Sequence, residues 1–335
     1  VDWGIDLLGG YSHRFVENVS DNPNTDGFNG IDTPGIGEAL KSAGVTHALI
    51  MGWQLKSYWQ AYIYCLRHGI PVAVRGDSQI KSNEFWVKSI LRRLLYPLFL
   101  RRYCKIFFVG QRNKKYLLRH GAKTSQLLFS PHAVDQAFWQ SPNRTTNEKR
   151  TIRFLWVAKF IAKKKPDDAI RAFQKALQQG TDIELHMVGT GELLENCRSR
   201  AAGSSRIQFL GFKNQVELRD VYASGDCLLL TSAEGETWGL VVNETMSMGI
   251  PAIVSSACGC SEDLIDEKTG FTYKVGDVES LTERILEMAD LLRRDPMHFL
   301  PSLVERNAQY SFAANLNAIK LYLACQPETS GDQSA

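Results

Sequence analysis

"DCLLLTSAEGETWGLVVNETMSMGIPAIVSS", residues 226–256, decides how this chain folds. It opens on a short continuous apolar run, the pattern of a strand buried on both faces. A loop with Gly235 and Gly239 follows. A helical apolar pattern then runs from Leu240 to Met248 and stops at Gly249, and Pro251 leads into a second apolar strand. Strand, helix and strand of this kind form the repeating unit of a parallel sheet covered on two sides. Two carboxylates, Glu236 and Glu244, flank the start of the helix with seven residues between them.

The same alternation extends in both directions. Upstream, "TIRFLWVAKF" (151–160), "IELHMVGTG" (183–191) and "IQFLGF" (207–212) read as strands, and "PDDAIRAFQKALQQG" (166–180) and "VELRDVYASG" (216–225) as helices. The first half is sparser. Strands are expected at 46–53, 71–78, 105–111 and 126–132, and helices at 58–69 and 114–121. The polar stretch 140–150 separates the two series and reads as a linker. The expected fold is α/β, with two doubly wound Rossmann-like domains facing a cleft. Residues 1–148 form the first domain, 149–307 the second, and 326–335 a disordered tail. Ligands bind open parallel sheets at the carboxyl ends of their strands, so a site between two such sheets is expected.

Composition narrows the class. Of 335 residues, 44% are hydrophobic and 22% charged, an ordinary globular balance. No apolar run reaches the ~18 residues that span a bilayer. The first residues lack the basic-then-apolar order of a secretory signal. Seven cysteines at irregular spacing fit reduced thiols in the cytoplasm better than a disulfide framework. Cys258 and Cys260 lack the further ligands of a zinc set. Residues 1–150 hold 20 Lys and Arg against 11 Asp and Glu, a balance of +9, and the remainder carries −6. No carboxylate occurs between Glu84 and Asp135. The basic 88–123 region, with its interleaved apolar residues, fits either peripheral contact with anionic headgroups on the inner membrane face or a helix packed on its own sheet. Nothing in the chain points to nucleic acid as a partner.

The glutamate pair has its own chemistry. A helix N-terminus offers free N–H groups and partial positive charge, which suit a phosphate. Carboxylates repel phosphate but accept hydrogen bonds from vicinal hydroxyls. One glutamate on a sugar and the other on a ribose, with a diphosphate between, satisfies the spacing. Lys159 and Lys164, around the end of the 151–160 strand, supply positive charge, although Lys163–Lys165 also reads as a solvated run. Gly189 and Gly191 make a strand-to-helix loop.

"AKFIAKKKPDDAIRAF", "HMVGTGE", "FLGF", "GCSEDLIDEKTGF" and the opening stretch together resemble the C-terminal domain of glycosyltransferase family 4, continuously over about residues 151–290. "FVGQRNKKYLLRHGAKTSQLLFSPHAVD" extends the likeness more weakly toward the N-terminus. The resemblance implies the GT-B fold and retaining transfer of a sugar from a nucleotide-diphosphate sugar, which is a substrate, with no cofactor. It implies a glycan or lipid-linked acceptor, and a final helix within 308–325 crossing back to complete the first domain. Carried over by position, Glu236 would bind the donor sugar, with Lys159 and Lys164 on the diphosphate as its catalytic partners. Lys159 stands where the family usually has Arg, losing a bidentate fork. Glu244 would hold the ribose, the backbone of Trp238, Gly239 and Leu240 the distal phosphate, and the segment at Phe212 and Lys213 the base. Arg75 and Asp77 are acceptor-side candidates. No Asp-x-Asp pair occurs in the sequence, so lysines and the helix terminus would hold the leaving group without a metal. The strand that opens family members is not read before Thr46, and roughly fifty residues of a doubly wound domain are expected upstream. Two other readings fit this layout: a nucleotide-sugar epimerase, and a nucleotide-sugar-binding module of weak activity.

Overall fold

The computed structural model describes residues 8–80, 86–140 and 151–325. Most of the expected linker, from 141 onward, and the expected tail 326–335 lie outside the described residues. The chain folds as two compact units, one made of residues 8–131 with 313–325, the other of residues 132–312.

The first unit runs α1 (Ile36–Ser42), β1 (Ala48–Ile50), α2 (Lys56–Arg67), β2 (Val72–Gly76), α3 (Trp86–Leu100), β3 (Lys105–Phe108), α4 (Gln111–Arg119) and β4 (Leu127–Phe129). Among the described residues no strand precedes Ala48. The four strands pair in parallel in the order β1-β2-β3-β4. Alternation along them separates two apolar faces. Val72, Val74, Ile106 and Phe108 join a core with residues from α2, α3 and α4, whereas Ala73 and Phe107 point the other way.

The second unit continues with α5 (Gln136–Trp139), β5 (Ile152–Val157), α6 (Pro166–Gln178), β6 (Ile183–Val188), α7 (Leu194–Ala201), β7 (Ile207–Gly211), α8 (Gln215–Ala223), β8 (Cys227–Leu230), α9 (Leu240–Ser247), β9 (Ala252–Ser255), α10 (Ser261–Leu264), β10 (Gly270–Tyr273), α11 (Val278–Arg294) and α12 (Leu300–Gln309). Its six strands are all parallel, in the order β10-β9-β8-β5-β6-β7. Cys227–Leu230 and Ala252–Ser255 are buried throughout, as a sheet covered on both faces requires. From β5 the chain first builds outward through β6 and β7, then returns to the other side of β5 for β8. The reversal therefore falls between β5 and β8, where the carboxyl ends of the two strands diverge and leave room for a ligand.

The last helix, α13 (Phe312–Leu323), belongs to the first unit. Its Ala318 and Tyr322 bury against Ala73 and Phe107, closing the second apolar face of the four-stranded sheet. The Tyr322 hydroxyl donates to the carbonyls of Ala48 and Pro71, each at 2.8 Å. The C-terminal helix thus crosses back as expected, because that face of the sheet would otherwise be bare.

Candidate functional site

The loop after β5 is locked to the loop after β6. The N–H groups of Ala158 and Phe160 donate to the carbonyls of Val188 and Thr190 at 3.1 and 2.9 Å, and Leu193 N–H returns to the Phe160 carbonyl at 2.9 Å. Two glycines permit this approach. A Cβ on Gly189 would sit 1.9 Å from the Ala158 carbonyl oxygen, and one on Gly191 would sit 2.4 Å from that of Phe160. Both residues also hold positive φ, +134° and +154°. These two candidates therefore bring backbone against backbone at the strand ends.

Lys164 ends a single 3₁₀ turn, Ala162–Lys164. Its carbonyl accepts from the Thr231 hydroxyl at 2.8 Å, and the Thr231 oxygen accepts from the buried Trp156 indole at 2.9 Å. The Lys163 carbonyl accepts from Ala233 N–H at 2.8 Å. The loops after β5 and β8 are tied together in this way, and the Lys164 ammonium pairs with the Glu236 carboxylate. Their side chains are only 20% and 13% exposed, so this charge pair is shielded from water far more than a surface pair. Lys165 is the single non-glycine residue at positive φ among the described residues. It turns the chain sharply into α6, which starts on Pro166 with Asp167 and Asp168 in its first turn. Lys159 is exposed, and its side chain has no hydrogen bond or ion pair among the described residues.

Next to Glu236 lies the N-terminus of α9. Gly239 caps it at φ +108°, where a Cβ would meet the Leu230 side chain at 2.6 Å. Among the described residues the backbone N–H groups of Trp238, Gly239 and Leu240 donate to no protein acceptor, which leaves three donors at the positive end of the helix. The Trp238 indole is buried. Its Nε1–H donates to Asn243 Oδ1 at 2.7 Å, and Asn243 Nδ2 donates to the His132 carbonyl at 3.3 Å. The loop is therefore anchored by the Trp238 side chain, while the Trp238 N–H keeps no protein acceptor among the described residues.

Glu244 stands on α9 with one carboxylate oxygen accepting from the Tyr222 hydroxyl at 2.6 Å. Tyr222 is fully buried on α8, against Trp139. Burial raises the pKa of Glu244, and the Tyr222 bond opposes that rise. Phe212 is 54% exposed on the segment after β7. Lys213 pairs with Glu217 at 3.0 Å, beside the Asn214–Glu217 capping box of α8.

The acceptor-side candidates lie in the first unit. The Arg75 guanidinium donates to the carbonyls of Ser130 and Pro131 at 3.3 and 3.1 Å, and burial lowers its pKa while Asp77 partly restores it. Its side chain is thus engaged in holding the end of β4. Asp77 is half-buried and makes no side-chain hydrogen bond among the described residues. Cys258 and Cys260 are buried, and burial, then Cys258 and Glu236, push the Cys260 thiol well up. Among the described residues no three His, Cys, Asp or Glu side chains are grouped to hold a metal.

Sequence reasoning missed Tyr222, Thr231, Trp156 and Asn243. Each acts by positioning another group, through contacts that no local spacing encodes.

Residues 137–294 match the family model described as Glycosyl transferases group 1. Over 123 residues the chain is 32% identical to a sulfoquinovosyl transferase of Arabidopsis thaliana, a stretch that is 36% of this chain and 24% of that relative. The stretches matched in the first three curated relatives cover 24%, 37% and 36% of their lengths. A glycosyltransferase structure from Rickettsia africae superposes with a TM-score of 0.71 at 17% identity, over 87% of this chain and 80% of that one. Anabaena HepE, solved in complex with UDP, gives 0.71 at 16% identity, over 88% and 83%. The fold is GT-B, shared with these structures.

Proposed function

We propose that this chain, whose residues 137–294 match the group 1 glycosyl transferase family model, moves a sugar from a nucleotide-diphosphate sugar to a hydroxyl of a glycan or lipid-linked acceptor. The observation that carries the reading is the pairing of Lys164 with Glu236 at the carboxyl ends of β5 and β8, beside the three open N–H groups at the start of α9. Anion-holding groups and a hydroxyl-binding carboxylate converge there on one point.

In the reaction, Lys164, Lys159 and the Trp238–Leu240 backbone stabilise the diphosphate as the anomeric C–O bond breaks. Glu236 accepts hydrogen bonds from the sugar hydroxyls, and Glu244 from the ribose. The segment at Phe212 and Lys213 meets the base. The acceptor oxygen attacks from the face the diphosphate leaves, passing its proton to a departing phosphate oxygen, so the anomeric configuration is retained. Lysines and helix dipole suffice for the leaving charge, so no metal takes part. HepE was solved with UDP, which makes UDP-sugars the first donors to screen. Asp77, whose carboxylate makes no hydrogen bond among the described residues, is the stronger acceptor-side candidate of the two.

Glu236→Gln tests the assignment. Transfer should fall at least roughly a hundredfold, the scale of one lost transition-state contact. Free nucleoside diphosphate should bind as well as before or better, since Lys164 loses its competitor. A variant that keeps full turnover overturns the role of Glu236. A chelator that abolishes activity until Mg²⁺ is restored overturns the metal-free mechanism.

A further inference from the structure

The outer face of α3 is built the wrong way round for a helix that meets only water. Val87, Leu91, Leu94 and Leu98 recur at i, i+4, i+7 and i+11, a single helical stripe. All four are exposed, Leu94 at 66% and Leu98 at 68%. Trp86, Ile90 and Leu95 widen the stripe and are about half exposed or more. The opposite side of the helix is the packed one, with Leu100 buried and Tyr96 and Phe99 against the core. On the neighbouring α2, Ile63 and Leu66 are also exposed. Beside the stripe, between the two helices, runs an open groove of about 850 Å³, lined on α3 by Leu95, Tyr96, Leu98 and Phe99 and on α2 by Ile63 and Leu66, with Arg67 and Arg102 also lining it. Large apolar side chains exposed together along one helix face, rather than scattered singly, mark an interaction surface.

Charge says what covers it. Arg67, Arg93, Arg101 and Arg102 are exposed around the patch, and no carboxylate occurs from Phe85 to Val134. A second copy of this chain would bring the same arginines against themselves with no acid to neutralise them. An anionic lipid surface answers both features: acyl chains take the leucines, and headgroup phosphates take the arginines. No helix among the described residues is long and apolar enough to cross a membrane.

We infer that the α2–α3 face of the first unit is a peripheral docking surface for an anionic bilayer, with the Leu91–Leu94–Leu98 stripe inserted at the headgroup boundary and the arginine rim on phosphates. The surface stands on its own observations, independent of the transfer chemistry.

The test is co-sedimentation of the full chain with phosphatidylcholine vesicles, with and without phosphatidylglycerol. Phosphatidylglycerol should raise the partition coefficient roughly tenfold or more, an increase that salt reverses. Leu94→Glu with Leu98→Glu should abolish partition, while circular dichroism and nucleotide binding stay unchanged. Arg93→Glu with Arg102→Glu should remove the phosphatidylglycerol preference. Equal partition to both vesicle types, or full retention by the leucine variant, would overturn the proposal. So would vesicle-free self-association that the leucine variant abolishes, since the patch would then be a contact between copies.

Discussion

Tyr222→Phe removes one oxygen atom and keeps the ring that packs on Trp139. That hydroxyl donates to Glu244 at 2.6 Å from a fully buried position, so the bond is charge-assisted whenever Glu244 is ionised. Its loss should cost about 1.5–3 kcal/mol at pH 7.5, the range for a hydrogen bond to a charged group. The cost should depend on pH in a definite direction. Burial lifts the pKa of Glu244 above its ordinary 4.5, and the Tyr222 bond is what pulls it back. A carboxyl whose folded pKa is raised contributes stability that is complete below its unfolded pKa and is lost as pH rises through the folded value. Removing the hydroxyl lifts the folded value further, so the variant loses more stability than the parent on going from acid to neutral pH. Toward the unfolded pKa a larger share of Glu244 is protonated in both proteins, so the difference should shrink toward that of a neutral hydrogen bond, about 1 kcal/mol. Urea unfolding at pH 7.5 and near pH 4.5 measures both differences. A variant within 0.5 kcal/mol of the parent at each pH, on the scale of a neutral surface change, would refute the reasoning. A cost that grows on acidification would refute it equally.

Two further substitutions probe the loops. Lys164→Ala should weaken nucleoside diphosphate binding by roughly tenfold or more, equivalent to ~1.4 kcal/mol, while the exposed Lys163→Ala changes it less than twofold. Equal small losses in calorimetric titrations would mean the run is merely solvated. Gly191→Ala forces a Cβ onto the Phe160 backbone at positive φ, so it should lower stability by roughly 3 kcal/mol, and Gly180→Ala, with open space around it, should cost less. Thermal unfolding that ranks the two glycines the other way would count against the loop-to-loop approach.

The strands were legible because a parallel strand buried on both faces is a short unbroken apolar run. Cys227–Leu230 and Ala252–Ser255 fall within a residue or two of their expected bounds. Lys164 and Glu236, which the structure pairs, and Glu244 could be singled out as candidates because they sit at fixed spacing around one strand end and one helix start. Tyr222 was not, since its bond to Glu244 depends on how α8 lies against α9. Trp156 and Thr231 meet across 75 residues through strand pairing, which residue order alone does not show. The basic and apolar character of α3 was visible in the sequence, but not that the leucines would face outward. That direction is set by Tyr96, Phe99 and Leu100 turning inward.

The return of α13 makes the first unit a folded body written in two pieces. The Tyr322 hydroxyl closes contacts 274 and 251 residues back along the chain. During synthesis, about 180 residues must leave the ribosome between Pro131 and the start of α13, roughly ten to forty seconds at ordinary elongation rates. Throughout that interval Ala73 and Phe107 lack their covering helix. The unit whose sequence lies between the pieces is contiguous and can finish first. Chaperone demand on the nascent chain should therefore concentrate on the four-stranded sheet and end when α13 emerges.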